Sequence, residues 1–548
     1  MLYREISRIL GSYLFFLACA LCVPLLVSIY YQHFDAPQLH PQPHSTQAFV
    51  LSIVLCLGMA FGFRLAGRSA KGQLFRREAL LLVVIIWFVT AAVGALPFYL
   101  SGTLSNPIDA YFEAMSGLTT TGASVMHPKN FDPYTGAEIP YTQIISTFYD
   151  IDYTFYGTID PVLDPITGQP ILTGIEAVGK GLLFWRSFMQ WLGGMGIVVL
   201  FVAVLPALGV GGKMLYQAEV PGPAKDAVTP RIKETASWLW RVYLGFTIAE
   251  ILLLRFFHPG LPYFDAACIT FANLSTGGFT VTNSGIASYS SPAVEWIIIA
   301  FMLIGSTNFS LYFHCLRGRF FRLYEPEFIT YYISVFLGCI FVVYHLLGSQ
   351  ITLLTGETLD VTTGEAVRHG CFHLISAQTS TGFACSNYDT WPWVNQVLML
   401  IMMFVGSMAG STGGGIKIMR HFLAFRIVQD RVIRIFRPET IRTFRVGQWE
   451  VDQNVAQTIL SYYLIVIALS AVGTFILTLD NIDPETALGV NTCMINNIGM
   501  AFRMAAPTGS FAFLSPLAKV ISILWMVLGR LEFFAVLVVL MPEFWRHK

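Results

Sequence analysis

Charge is what this chain has least of. Asp, Glu, Lys and Arg make up 12% of its 548 residues while 55% are hydrophobic, whereas a soluble domain carries about a quarter charged residues. A soluble fold is therefore excluded, and a formal net charge of zero argues against nucleic acid as a partner. Enzyme signatures are missing as well: there is no HExxH, no nucleotide-binding GxxxxGK[ST] and no nucleophile–base pair near a membrane face. The nine cysteines are scattered, mostly inside apolar runs. Cys19 and Cys22 have CxxC spacing but no second pair, so they read as packing rather than a metal site. Cys371 and Cys385 are expected to stay unbridged.

What the chain does have is long apolar runs from one end to the other, the mark of a polytopic helical membrane protein. The first, Ile9 to Tyr31, is too long for the core of a signal peptide and is expected to remain as a helix. It forms, with a second helix near 47–67, a two-helix module covering residues 1–70.

After it a pattern recurs four times. It reads Thr120-Thr121-Gly122-Ala123, Ser275-Thr276-Gly277-Gly278, Ser380-Thr381-Gly382-Phe383 and Asn497-Ile498-Gly499-Met500. Each copy lies between apolar runs and ends a short helical segment opened, at a near-constant spacing, by Asp109, Asp265, His369 or Glu485. Such self-similarity implies one supersecondary unit built four times, over 71–230, 231–325, 326–447 and 448–548. Each unit is an outer helix, a short re-entrant helix with its loop, and an inner helix, giving ten spanning helices in all. Backbone that is neither helix nor strand survives at membrane depth only along a water-filled path. A short helix aiming its C-terminus at that path favours a cation, and glycine permits the turn that presents carbonyl oxygens to it. Ordinary Ser/Thr-Gly turns account for one such copy better than for four.

Lys and Arg set the orientation. Residues 64–77 hold five, 209–235 four, 317–322 three and 417–445 eight, whereas 32–46 and 259–292 hold none, 349–391 only Arg368 and 480–516 only Arg503. Both termini are thus expected in the cytoplasm and the glycine loops to open outward. The acidic, turn-rich stretch 126–176 reads as a solvated loop with Asp132-Pro133-Tyr134 and Asp164-Pro165-Ile166 as turns.

Two features do not belong in a bilayer. Arg530, near the centre of the last inner helix, is expected to project into the path below the filter as a cation barrier, with Glu532 a poor same-helix partner. The third inner helix contains Gly406-Ser407-Met408-Ala409-Gly410-Ser411-Thr412-Gly413-Gly414-Gly415-Ile416-Lys417, whose glycines break a helix and make a natural gate. Glu113, and Glu250 with Arg255, read as structural pairs.

With these pieces in place the chain resembles the TrkH-type uptake subunits of the TrkH/KtrB/HKT superfamily of potassium transporters. The resemblance is carried by the four loops, by Gln190-Trp191-Leu192-Gly193-Gly194-Met195-Gly196, by Gly410–Lys417 and by Gly529-Arg530-Leu531-Glu532. It implies potassium as the transported ion, held by backbone carbonyls of Thr121, Gly122, Thr276, Gly277, Thr381, Gly382, Ile498 and Gly499. It also implies a gate at 406–415 with Gly410, Ser411, Thr412, Gly413, Gly414, Gly415, Lys417 and Arg530, a homodimer in the bacterial inner membrane, and a TrkA-like cytoplasmic nucleotide-binding ring. Gly122, where a serine goes with sodium preference in the superfamily, favours potassium. Two departures are the length of 126–176 and Met500, where a proline is expected. The competing readings are symport with H⁺ or Na⁺, the conducting subunit of an ATP-driven pump, and a membrane-embedded enzyme.

Overall fold

The computed structural model describes residues 3–34, 43–70, 76–132, 134–146, 150–164, 166–196, 232–436, 445–446, 449–450 and 453–546. Lys71, the basic residues Lys213, Lys225 and Arg231, Arg437 and Arg442, and the first inner helix beyond Gly196 lie outside the described residues.

Among the described residues, six helices are long and apolar enough to cross a bilayer, with mean hydropathies from 1.3 to 2.7. Two of them, α1 (Tyr3–His33) and α2 (Pro43–Ala66), open the chain. They run antiparallel: a Cβ on Gly11 would lie 2.8 Å from Ala60 O, Cys56 Sγ donates to Leu14 O at 3.2 Å, and the hydroxyls of Ser28 and Thr46 meet at 2.8 Å.

Four similar units follow. The first has α3 (Arg76–Leu100), α4 (Pro107–Leu118) and α5 (Lys180–Trp191). The second has α6 (Ile232–Phe257), α7 (Tyr263–Leu274), α8 (Pro292–Ser306) and α9 (Phe309–Leu316). The third has α10 (Pro326–Leu346), α11 (Thr363–Gln378), α12 (Trp393–Val405) and α13 (Ile418–Phe436). The fourth has α14 (Gln453–Leu479), α15 (Pro484–Asn496), α16 (Pro516–Arg530) and α17 (Phe534–Leu540). The short helices start where the sequence caps them. Asn106 Oδ1 accepts from Ile108 N with Pro107 at the first helical position, and Asp483 accepts from Thr486 N ahead of Pro484. Thr362 and Glu365 form a reciprocal capping box on α11.

The inner helices depart from expectation. The expectation is continuous spans with one interruption, in the third unit; among the described residues the second and fourth are interrupted as well. The first passes into a π-turn at Leu192–Gly196. The second bends by 94° between α8 and α9, where Asn308 Oδ1 caps the new helix through Ser310 N. The fourth breaks at Glu532 and Phe533, with φ of 57° and 59°. Each break lies beside the end of a short helix, and glycine makes the approach possible. A Cβ on Gly193 would sit 1.8 Å from Leu118 O, one on Gly305 2.9 Å from Leu274 O, and one on Gly529 2.1 Å from Ile495 O.

The stretch 126–176 is also not the plain loop expected. Tyr141–Ser146 pairs antiparallel with Asp150–Phe155, and shorter hairpins flank it. The hairpin is docked on the fourth unit: Tyr153 Oη donates to Asp483 Oδ1 at 2.6 Å and accepts from Asp483 N at 2.8 Å. Pro133 and Pro165 of the two expected turns lie outside the described residues, and on either side of them Tyr134 N donates to Asp132 Oδ1 and Ile166 N to Asp164 Oδ1. Those N–H groups, helped by the hydroxyls of Thr135 and Thr167, hold both exposed carboxyls below the usual carboxylate range.

Candidate ion-binding site

Each short helix ends in the same backbone manoeuvre. Thr120, Thr276, Ser380 and Asn497 follow the helix ends with φ of 54°, 55°, 61° and 53°. Positive φ is costly at the β-branched Thr120 and Thr276 and uncommon at Ser380, while Asn497 tolerates it, so its fourfold recurrence marks a shared geometry. Two residues on come Gly122, Gly278, Gly382 and Gly499, the first three with φ of 82°, 77° and 83°.

This corrects the second turn by one position. The Ser-Thr-Gly match pointed to Ser275, Thr276 and Gly277, but the backbone makes Gly278 the counterpart of the other glycines, with Gly277 in the place of Thr121, Thr381 and Ile498. Hydrogen bonding agrees. Thr121 N and Gly122 N return to Ser116 O, Gly277 N and Gly278 N to Ala272 O, Thr381 N and Gly382 N to Ser376 O, and Ile498 N to Cys493 O. These N–H groups are thus satisfied on the short helices.

The turns meet in a closed cycle. A Cβ on Gly122 would lie 2.0 Å from Gly277 O; one on Gly278, 2.0 Å from Thr381 O; one on Gly382, 2.7 Å from Gly499 N; one on Gly499, 2.9 Å from Gly122 O. A side chain at any of the four forces the neighbouring backbone to shift, most at Gly122 and Gly278 and least at Gly499. A cavity of about 140 Å³ adjoins them, lined by all four glycines together with Met500 and Tyr388 among others, and Arg186 is the one charged residue in its lining.

Buried polar groups brace this cycle from outside. Gln190 Nε2 donates to Gly277 O at 2.7 Å, and its Oε1 accepts from Phe279 N at 3.2 Å. Arg186 pairs with Glu113 at 2.6 Å, donates to Thr280 O at 2.8 Å, and lies 3.5 Å from the centre of the Phe279 ring. Glu113 also accepts from Ser124 Oγ and Val125 N. Comparable ties cross the other seams: Glu295 to Arg368 at 3.5 Å, Asp389 to Arg503 at 3.2 Å, and Lys519 to Asp109 at 2.6 Å. Glu113 is thus a structural pair, as expected, but its partner Arg186 and the clamp Gln190 were not identified from sequence. The expected Glu250–Arg255 pair does not form. Glu250 Oε1 accepts from Asn273 Nδ2 at 2.6 Å, while Arg255 lies over the Tyr263 ring.

On the other face of the turns runs the glycine segment between α12 and α13. Thr412 Oγ1 bonds Leu274 O at 3.0 Å and Gly305 O at 2.9 Å. Gly415 N donates to Asn496 O at 3.0 Å, and Gly414 N donates to Ser380 Oγ. Ser411 Oγ turns back to Met408 O, and Lys417 Nζ to Gly413 O and Ser407 Oγ. Gly410 packs on Asn308. Ala409 N donates to the buried Glu327 Oε1 at 2.7 Å. Arg530 reaches this segment from the fourth unit, donating to Thr412 O at 3.0 Å, to Gly194 O at 3.0 Å and to Gly193 O. One guanidinium so connects the π-turn of the first unit, the glycine segment of the third and the end of α16. Glu532, a poor partner for Arg530 on its own helix, pairs instead with Arg420.

Comparison with known proteins fits this geometry. The model of the TrkH family, described as cation transport protein, matches residues 165–546. The chain is 32% identical to the Trk system potassium uptake protein TrkH of Halomonas elongata over 99% of both chains. It is 31% identical to that of Escherichia coli K12 over 100% of both. The crystal structure of the potassium transporter TrkH from Vibrio parahaemolyticus aligns over 100% of both chains with a TM-score of 0.77 and 28% identity.

Proposed function

Since the chain belongs to the TrkH family of cation transport proteins, we propose that it takes up potassium through the cycle of four turns, driven by the electrochemical gradient. The observation that carries this reading is the closure of the cycle with N–H groups turned away from its centre. Carbonyls so placed substitute for the hydration shell of a potassium ion. The C-terminal ends of the four short helices add partial negative charge around it. The ligands in this reading are drawn from the carbonyls at Thr120, Thr121, Gly122, Thr276, Gly277, Gly278, Ser380, Thr381, Gly382, Asn497, Ile498 and Gly499, of which Gly277 O also accepts from Gln190 Nε2 and Ile498 O from Cys493 Sγ.

The gate in this reading is the segment 406–415 together with Lys417 and Arg530. The guanidinium adds an electrostatic barrier to a cation leaving the turns, and its bonds to Thr412, Gly193 and Gly194 hold the segment in place. Opening needs those bonds to break. The relatives are named as parts of a Trk system, and we extend this to a homodimer in the bacterial plasma membrane, termini in the cytoplasm, regulated by a TrkA-like nucleotide-binding ring. A symporter needs an intramembrane carboxylate free to take up a proton. The buried Glu327, which accepts from Ala409 N beside the glycine segment, is a candidate for that role, and the gradient dependence of flux separates the two readings.

The deciding experiment is uptake of radioactive rubidium into proteoliposomes of purified protein under an opposing potassium gradient. Uptake blocked by excess potassium and spared by excess sodium is the expected result. Flux that vanishes without a proton or sodium gradient would replace the pore with a symporter. Arg530→Ala is expected to raise the rate several-fold; an unchanged rate in a folded variant would remove Arg530 from the gate.

A further inference from the structure

The seam between the second and third units holds a cluster that ion passage does not use. Glu295, His369 and Cys385, from the first turn of α8, from α11 and from the chain after the third turn, place one donor atom each within 4.8 Å of one another. All three are buried, at 5%, 1% and 1% relative exposure. His369 Nδ1 stands 3.3 Å from Cys385 Sγ. Glu295 Oε2 accepts no hydrogen bond, its nearest cation being Arg368 Nε at 3.5 Å. A buried carboxylate with an oxygen lacking a donor, beside a thiol and an imidazole, needs an explanation.

The geometry points to a site for a borderline-soft divalent metal ion of the zinc class, held by Glu295, His369 and Cys385. Donors at about 2.0–2.3 Å from a tetrahedral ion stand about 3.3–3.8 Å apart, so the His–Cys edge is already in range and the carboxylate closes by about 1 Å. The donor set excludes the hard cations. Magnesium and calcium take shells of oxygen, and thiolate with imidazole selects zinc or its neighbours. Thiolate and carboxylate together neutralise a divalent ion.

The surroundings hold the donors in place. His373 Nε2 accepts from Cys385 N and Ser386 N, both at 3.3 Å, and its Nδ1 bonds His369 O at 2.8 Å, fixing the two ligand-bearing segments together. Cys385 O accepts from Leu354 N of the neighbouring hairpin. Binding releases the Cys385 thiol proton to solvent. It also requires the His369 ring proton on Nε2, so Arg368 Nη2, now 3.2 Å from that atom, turns away and stays with Glu295. The fourth position is left to water. Cys385 lies shortly after Gly382, so an occupied site stiffens the third turn without entering the path itself.

The test uses full-length, untagged, metal-stripped protein in detergent, titrated with Co²⁺ and followed by visible absorption. One ion per chain is expected, with tetrahedral d–d bands and a thiolate-to-metal band, both displaced by Zn²⁺. Cys385→Ser should abolish the thiolate band, and Glu295→Gln should weaken binding at least about tenfold, the scale on which altered coordination is felt. Cys371→Ser, on the same helix as His369, should leave the titration unchanged. Should Cys385→Ser not fold, Glu295→Gln with an unaltered melting curve carries the comparison. A folded wild type without a thiolate band, or a band that survives Cys385→Ser or is lost with Cys371→Ser, overturns the assignment.

Discussion

The first and fourth turns reach the same place by different means. In the first, Thr119 and Thr121 share a hydroxyl contact of 2.8 Å, two N–H groups return to Ser116 O, and Gly122 has a φ of 82°. In the fourth, Ile498 offers no hydroxyl, only its N–H returns to the helix, and Gly499 is not among the residues of positive φ. Instead the Asn497 side chain reaches across the seam, donating to Thr121 Oγ1 at 3.0 Å and to Met526 O at 2.9 Å. One turn is set by its own backbone and the other by a side chain leaning on its neighbour. Convergence of the four carbonyl sets therefore does not require identical sequences. What the four turns share is the N–H of the residue before the glycine, which in each returns to the short helix.

Substitutions sharpen the contrast. The largest effect is expected from Gly122→Ala. Its Cβ would fall 2.0 Å from Gly277 O, and a left-handed alanine costs about 1–3 kcal/mol before any overlap, so no rubidium uptake should remain. Gly499→Ala meets its nearest atom at 2.9 Å and should keep measurable uptake; equal loss in both would dissolve the distinction. Glu113→Gln strands Arg186 in the interior and should cost about 3–5 kcal/mol, read as a lower melting temperature. Asn497→Ala removes two buried donor contacts of the fourth turn and should cost about 1–3 kcal/mol while relaxing discrimination against sodium. Unchanged discrimination would show that the fourth turn tolerates its missing hydroxyl without Asn497. Glu485→Gln, acting on a half-exposed pair with Arg503, should cost less than about 1 kcal/mol.

Much of this architecture was legible because it is written locally. Asn106-Pro107, Asp483-Pro484 and Thr362 with Glu365 announce short helices, and the apolar runs announce the outer ones. The slip at Ser275 shows the limit of matching residue types. Ser-Thr-Gly at 275–277 imitates Ser-Thr-Gly at 380–382, but the turn is specified by where N–H groups fold back, and that is one residue later. The breaks after Ser306 and at Glu532-Phe533 carry no glycine or proline at the break itself. They exist because Asn308 caps a new helix in one case and because the neighbouring units hold Arg530 and Glu532 in the other. Arg186 and Gln190 were missed for a related reason. Their partners, Glu113 and Gly277, stand 73 and 87 residues away, and no periodicity within a helix encodes such a distance.

The tie between Lys519 and Asp109 spans 410 residues, joining the fourth unit to the first. Until the ribosome has delivered α16, Asp109 has no counter-ion and the first turn lacks the neighbour that completes its enclosure. The nascent chain is thus an open arc whose ends carry opposite charges, and burial of the acid becomes favourable only on arrival of the base. A chain truncated before Lys519 is expected to leave that arc unsealed.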